Sequence, residues 1–411
     1  MNLSPEWKLI LACAKTSGED FAGLRDGLVD TDLDWDYIAK TSCAHGIAPL
    51  IYHRLRQSGV ISLLPPAAAE TLRSSYYGNA ARNSLLYEEL NKVLKAFREE
   101  SIDVIALKGA ALAETVYLQR ALRPMSDIDL LVRKEKLAEV ESRLLDIGYG
   151  FDEREGTKEW FLEHHYHLVF ARQSGITIEI HWHIQRPTDP SRIAIDGFWE
   201  RAQPVKIAAT EALALSPEDL LLHLCQHAHE HKWRGGVRPL CDIAGAIKFY
   251  GNKIDWRKLC TLAYEWQIVP CAYLGLSLAW ELLDASVSAS FLAELKPVNF
   301  NMEILSWVRE RLLTDRESSP ISPDLLRLFW KGRSAKERWA VLQKILSRRV
   351  GANGSASKKA YLHYPLRMKH LLTQYGPTVG RLWAGDETIR AAAETEEKQQ
   401  RLTKWLSSNN Q

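Results

Sequence analysis

The sequence predicts a mixed α+β fold: a small α/β domain with a short mixed sheet, flanked by N- and C-terminal helical regions. Three observations carry that reading. Apolar residues recur at helical spacing up to about residue 100 and again beyond "LSPEDLLL". Between those regions, short β-branched apolar runs alternate with amphipathic helical stretches. Two further runs, "HHYHLVFAR" and "ITIEIHWHI", are joined by "QSG" in the manner of a hairpin.

Taken in order, "LDWDYIAKTSCAHGIAPLIYHRLRQ" has helical periodicity with a break at Gly46. "LLPPAAAE" is a turn signal that places Pro at the start of another helix. "NSLLYEELNKVLKAFREES" is an amphipathic helix with Leu85, Leu86, Leu90, Val93, Leu94 and Phe97 on one side. "IDVIALKG" then reads as a buried strand, "AALAETVYL" as a helix and "DIDLLVR" as a second strand. "KEKLAEVESRLLDIGY" is a helix closed by Gly148, and the hairpin follows. Ser216, Pro217, Glu218 and Asp219 form a helix start, with a capping hydroxyl, Pro at the first position and acids at the positive end. The expected organisation is 1–100 helical, 101–210 catalytic α/β, 211–315 helical and closing the cleft, and 316–411 a helical, basic region with a tail.

Length and composition bound the function. A chain of 411 residues is long enough for roughly two to three domains. The net charge of +2 speaks against a protein that coats nucleic acid, and DNA is not an expected partner. Residues 331–370 nevertheless carry eleven Lys or Arg against Glu337 alone, which suits either an anionic partner or a solvated helix face. Cys13, Cys43, Cys225, Cys241, Cys260 and Cys271 show no CxxC pair, as expected of reduced thiols in the cytoplasm. "LILAC" lacks a basic leader and fails as a signal peptide, and no apolar run is long enough for membrane insertion.

The chemistry concentrates in "RPMSDIDLLV". Strand alternation puts Asp127 and Asp129 on one face and Ile128 and Leu130 on the other. In "ITIEIHWHI", Thr177, Glu179, His181 and His183 share a face in the same way. Three ionised carboxylates on neighbouring strands repel, and a divalent cation relieves that repulsion; hard oxygen donors suit Mg²⁺ or Mn²⁺. Upstream, Gly109 ends a strand and opens a helix, where backbone amides favour phosphate, and Lys108 adds positive charge. An ordinary turn is the alternative reading of that Lys-Gly pair. Arg123 suits either a triphosphate or the carboxylates, and the Ser126 hydroxyl stands directly before the acidic pair.

Strand-Gly-helix, then D-x-D, then a lone Glu on a later strand resembles the DNA polymerase β-like nucleotidyltransferase superfamily. Within it, "LKG", "R…DIDLLV" and the later "HW" are similar to an uncharacterised bacterial nucleotidyltransferase family, as are "HGIAPLIYHRL" and "LLLHLCQHAHEHKWRGG…LCDIAG". The resemblance implies metal-dependent transfer of a nucleoside monophosphate from NTP to a hydroxyl acceptor, with pyrophosphate released. It implies Asp127 and Asp129 as metal ligands, Glu179 as third carboxylate or base, and Gly109 as the phosphate-loop glycine. Ala110 departs from the pattern, which places Gly or Ser there. The acceptor is open among a small molecule, an RNA end and a protein hydroxyl.

"HLCQHAHEHKW" places His223, His227 and His231 on one helical face. Such a face lines a cleft beside nucleotide or acceptor, holds Zn²⁺ in a hydrolase, or is simply packed. The order is not HExxH. His181 and His227 are the histidines expected to touch nucleotide, with Lys232 and Arg234 adding positive charge and Asp242 left without a role. Because Ala110 lacks a hydroxyl, a non-catalytic nucleotide-binding protein of the same fold is the alternative to an enzyme.

Overall fold

The computed structural model describes residues 3–15, 32–154, 156–173, 175–189, 191–231, 233, 236–298 and 300–313. These all belong to one compact unit. The basic segment 331–370, Lys232 and Arg234 lie outside the described residues.

Strand β2, Ile128–Leu131, organises the sheet. It pairs antiparallel with β1, Ile105–Ala106, and parallel with β5, Thr177–His181. The predicted hairpin forms: β4, His167–Ala171, runs antiparallel to β5, with His167 opposite His181. Beyond β4 lies the short β3, Gly150–Phe151; beyond β1 lie β7, Thr210–Ala214, and β6, Gln203–Ile207. The order is β3-β4-β5-β2-β1-β7-β6.

One face of the sheet is the core. Ile128, Leu130, Ile178, Ile180, Leu168 and Phe170 pack in one cluster with Leu86, Leu90, Val93, Leu94 and Phe97. The latter group comes from α4, Pro66–Glu99, after α1, Pro5–Ala14, α2, Trp35–Ala44, and α3, Ala48–Gln57. Each fully buried aliphatic side chain contributes about 1.5–3 kcal/mol. Ile128, Leu130, Ile178 and Ile180 are all fully buried, so β2 and β5 are anchored from behind. That anchoring lets the opposite face carry acids.

Several elements depart from the sequence expectation. The two helices read from "LLPPAAAE" and "NSLLYEELN" are one helix of 34 residues, because Gly78 has open space around it and helical neighbours on both sides. Lys108 and Gly109 belong not to a strand end but to α5, Lys108–Thr115. The strand read from His164 begins at His167, since α7, Lys158–His164, follows α6, Leu137–Asp146, and takes His164 as its last residue. His183 lies beyond the end of β5. The β6–β7 hairpin has no counterpart in the sequence reading. Its turn is Ala208-Ala209, with φ of 51° and 64°, in place of the Asn-Gly that ordinarily signals such a turn.

After α8, Ile195–Arg201, and the β6–β7 hairpin, the chain turns helical as predicted. Helix α9, Pro217–Glu230, starts as expected, with the Ser216 hydroxyl accepting from the Asp219 amide. Its two acids also bind neighbours: Asp219 pairs with Arg201 at 2.8 Å through both oxygens, and Glu218 accepts from the Asp255 amide. Helices α10, Arg238–Tyr250, α11, Trp256–Glu265, α12, Val269–Leu283, α13, Ala289–Leu295, and α14, Met302–Leu312, complete the described chain. No helix among the described residues is long and apolar enough to cross a membrane.

Candidate active site

Parallel pairing of β2 with β5 sets Asp129 directly beside Glu179. Residues in register share a sheet face. Asp127, expected to open the strand, instead lies in the bend just before Ile128, close enough to Asp129 and Glu179 to feel their charge. All three carboxyls interact electrostatically. Burial, then Asp129 and Glu179, raise the Asp127 carboxyl above the ordinary carboxylate range. Among the described residues Asp127 has no ion-pair partner, and Ser126 beside it supplies a hydrogen bond. Ser126 itself is exposed.

Asp129 is buried and answered by the Lys108 ammonium and the His181 imidazole. Lys108 Nζ lies 2.5 Å from Asp129 Oδ1, and His181 Nε2 lies 3.1 Å from the same oxygen. His181 Nε2 also reaches Glu179 Oε2 at 3.3 Å. Burial opposes the charge of Asp129, but Lys108 and His181 outweigh it and hold the carboxyl well below its usual range. Burial likewise opposes the Lys108 charge, while Asp129 and Glu179 more than compensate and raise the ammonium's pKa. His181 follows the same logic: burial disfavours its cation, and hydrogen bonds to Asp129 and Glu179 restore it.

Lys108 holds a left-handed backbone, φ 41°, at the first residue of α5. For a long side chain that conformation costs about 1–3 kcal/mol, and such strain concentrates at functional sites. The Leu107 amide donates to the Asp129 carbonyl at 3.0 Å and ties the strand-to-helix junction to β2.

Gly109, expected beside phosphate, also has a packing reason to be glycine. A Cβ there would collide with Arg123 Nη1 and stand 2.9 Å from Met125 Cβ. Arg123, expected at a triphosphate or at the strand carboxylates, is instead buried against Asp242. Its Nη2 donates to Oδ2 at 2.9 Å and its Nε to Oδ1 at 3.3 Å, while Tyr117 donates to Oδ1 at 2.8 Å. Asp242 therefore acquires the role that its sequence context left open. Ala110 is fully buried, and the Tyr87 hydroxyl donates to its carbonyl at 2.8 Å.

Other residues of this site are invisible to sequence reasoning. Arg82 donates to the carbonyls of Met125 and Ser126 at 3.2 and 2.9 Å, and buried Asn83 donates to that of Arg123 at 2.9 Å. Both belong to α4 and grip the segment that delivers Asp127. Arg238, at the start of α10, is half-buried and has no ion pair among the described residues. Burial and the Arg123 charge lower its proton affinity, and Asp127 is one of the acids acting on it. Its Nε is buried with no hydrogen-bond partner among the described residues. The only sequence signal for Arg238 was its place between "HEHKWRGG" and "PLCDIAG".

The α9 histidines turn toward this charge cluster. His223 is buried, and burial followed by the charges of Lys108 and His181 pushes its imidazole down to about 3. Burial, Lys108 and His231 hold His227 well below its ordinary value. The His223 and His227 rings are 6.3 Å apart and the His227 and His231 rings 4.4 Å. Among the described residues these three do not form a group with donor atoms close enough to share an ion.

Asp127, Asp129 and Glu179 offer the hard oxygen atoms that suit a divalent cation, but among the described residues these three carboxyls, like the α9 histidines, do not lie close enough together to share an ion. Asp129 and Glu179 raise the Asp127 carboxyl, so the three repel one another.

No curated protein matches the chain in sequence. Two solved structures are similar over part of it. One is the solution structure of the antibiotic-resistance factor ANT(2'')-Ia, at 15% identity and TM-score 0.32, covering 44% of this chain and 90% of that one. The other is a crystal structure of ANT(2'')-Ia with adenylyl-2''-tobramycin, at 16% identity and TM-score 0.31, covering 43% and 93%. Residues 31–284, more than half of the chain, match the model of a family described as uncharacterised nucleotidyltransferase, and the chain belongs to that family.

Proposed function

We propose that this protein transfers a nucleoside monophosphate from an NTP to a hydroxyl acceptor, using Asp127, Asp129 and Glu179 with Mg²⁺ or Mn²⁺. The observation that carries the reading is the direct register of Asp129 with Glu179, with Asp127 just before the strand and electrostatically coupled to both. A cation held by these three carboxylates would neutralise the triphosphate and polarise its α-phosphate.

The chain's own residues supply the rest. Lys108 and Arg238 bring positive charge to the phosphates, and Arg238 replaces Arg123 in that role because Arg123 is committed to Asp242. Glu179 is partly exposed and accepts the acceptor's proton. The acceptor oxygen then bonds to the α-phosphorus, the bridge to the β-phosphate breaks, and pyrophosphate leaves. His181 holds both Asp129 and Glu179 in place. His223 and His227, kept neutral, line the approach without opposing a metal. The acceptor is a small molecule, an RNA end or a protein hydroxyl.

Incubation with α-labelled NTPs, Mg²⁺ and each acceptor class tests this, with pyrophosphate release as a second readout. Asp127→Asn and Asp129→Asn should abolish both signals while circular dichroism stays unchanged. Undiminished release in both variants would overturn the assignment.

One observation favours a second reading. Arg123 and Met125 account for Gly109 by packing, and Ala110 offers no hydroxyl, so the loop has less to give a phosphate. A nucleotide-binding protein without turnover fits that loop. Calorimetry with a non-hydrolysable NTP separates the two, because binding without pyrophosphate release from NTP supports the second.

A further inference from the structure

A second donor set shares one residue with the carboxylate site. His167 opens β4 and His181 ends β5, directly opposite each other in the antiparallel register. Their ring centroids are 4.9 Å apart. Glu179 lies two residues before His181, on the same face, with its Oε2 3.3 Å from His181 Nε2. One donor atom from each of His167, Glu179 and His181 lies within 4.8 Å of the other two. Two ligands of one zinc ion, each about 2.1 Å from it, are at most about 4.2 Å apart. Small side-chain rotations therefore close the gap.

His181 is 2% exposed, and the Nδ1 atoms of both His167 and His181 are buried without a hydrogen-bond partner among the described residues. Buried polar atoms in that state ordinarily have a water or an ion to satisfy them.

We propose that His167, Glu179 and His181 form a binding site for a borderline divalent cation of the Zn²⁺ class, distinct in chemistry from the all-carboxylate site. Two imidazoles and one carboxylate are a recurrent zinc ligand set that leaves a fourth position open, and imidazole donors select against Mg²⁺. Glu179 belongs to both sets. A Zn²⁺ ion here withdraws Glu179 from the acceptor hydroxyl and inhibits transfer, a consequence that rests on the function proposed above; the binding does not.

The test uses the tag-free full chain with Zn²⁺ alone, without nucleotide or acceptor, so failure of the transferase reading leaves it unaffected. X-ray absorption of the zinc-loaded wild type should show two imidazole ligands. Competition with a chromophoric chelator should show His167→Gln weakening Zn²⁺ binding more than tenfold, since even outer-shell changes cost about 10- to 100-fold. Asp127→Asn, which leaves this donor set intact, should bind Zn²⁺ as the wild type does. Ligation by oxygen alone would overturn the proposal. So would an affinity that falls in Asp127→Asn and not in His167→Gln. Should His167→Gln fail to fold, the wild-type absorption spectrum decides by itself.

Discussion

Arg123 and Asp242, 119 positions apart in sequence, are joined by a buried ion pair with Nη2 to Oδ2 at 2.9 Å. The pair ties the segment that leads into β2 to helix α10, and it accounts for an acid that the sequence left without a role. Removing one partner of a buried pair costs about 3–5 kcal/mol, because the other charge is stranded. Asp242→Ala should therefore lose about that much in chemical denaturation. Replacing both residues together with apolar ones should lose clearly less. Equal stability of Asp242→Ala and the parent would show that the pair is not structural.

Gly109 is held to glycine by Arg123 and Met125. Gly109→Ala puts a methyl where Arg123 Nη1 lies and 2.9 Å from Met125 Cβ, so the buried guanidinium must move. Overpacking of this kind costs about 1–3 kcal/mol. Denaturation should show that loss, and nucleotide binding should weaken as Arg123 shifts. A variant as stable as the parent would mean that the arginine relocates freely.

Lys108 stabilises the metal-free cluster. In Lys108→Met, Asp129 keeps His181 as its only described ion-pair partner while Asp127 and Glu179 still repel it. Stability without metal should drop by several kcal/mol, in line with a broken buried pair. Added Mg²⁺ should recover part of that deficit, since a ligand that binds only the folded state stabilises by mass action. Thermal unfolding with and without Mg²⁺ reads both effects. A Tm that Mg²⁺ does not move would argue against metal at these carboxylates.

Arg238 has charge to give and no ion pair among the described residues, although Asp242 and Asp127 act on it. Arg238→Gln should keep the fold at or above parental stability, because a half-buried unpaired charge is removed. It should weaken NTP binding by roughly tenfold or more, the scale of about 1.5–3 kcal/mol for a hydrogen bond to a charged group. Calorimetry with a non-hydrolysable NTP measures this. Unchanged affinity would return the phosphate role to another cation.

The Ala208-Ala209 turn is a place where stability can be gained. Ala209 is exposed at φ 64°, and a left-handed backbone costs an L-residue about 1–2 kcal/mol. Glycine removes that strain but loses about 0.5–1 kcal/mol of chain entropy. Ala209→Gly should raise stability by the difference, on the order of 0.5–1 kcal/mol, in denaturant titration.

Much of this protein was legible in its residues. Period-two alternation in "DIDLLV" and "ITIEI" determined which side chains share a face, because a strand offers no other choice. The cap at Ser216 and the β4–β5 hairpin followed from equally local chemistry. The β6–β7 hairpin was not legible, since its turn is two alanines held at positive φ by the surrounding structure. The extent of α4 was also hidden, because a Pro-started segment and an amphipathic one look the same whether fused or separate.

The tertiary structure alone decided which charges meet. Sequence placed acids on two strands, but only the parallel register of β2 with β5 set Asp129 beside Glu179. Arg123 looked suited to a triphosphate or to the strand acids, and its choice of Asp242 depends on where α10 packs. Arg238, Arg82, Asn83 and the His167–His181 pairing are contacts between residues distant in the chain. The reason is physical: local patterns fix conformation and facing through sterics and burial, whereas ion pairs and metal sites need distances of a few ångströms between elements.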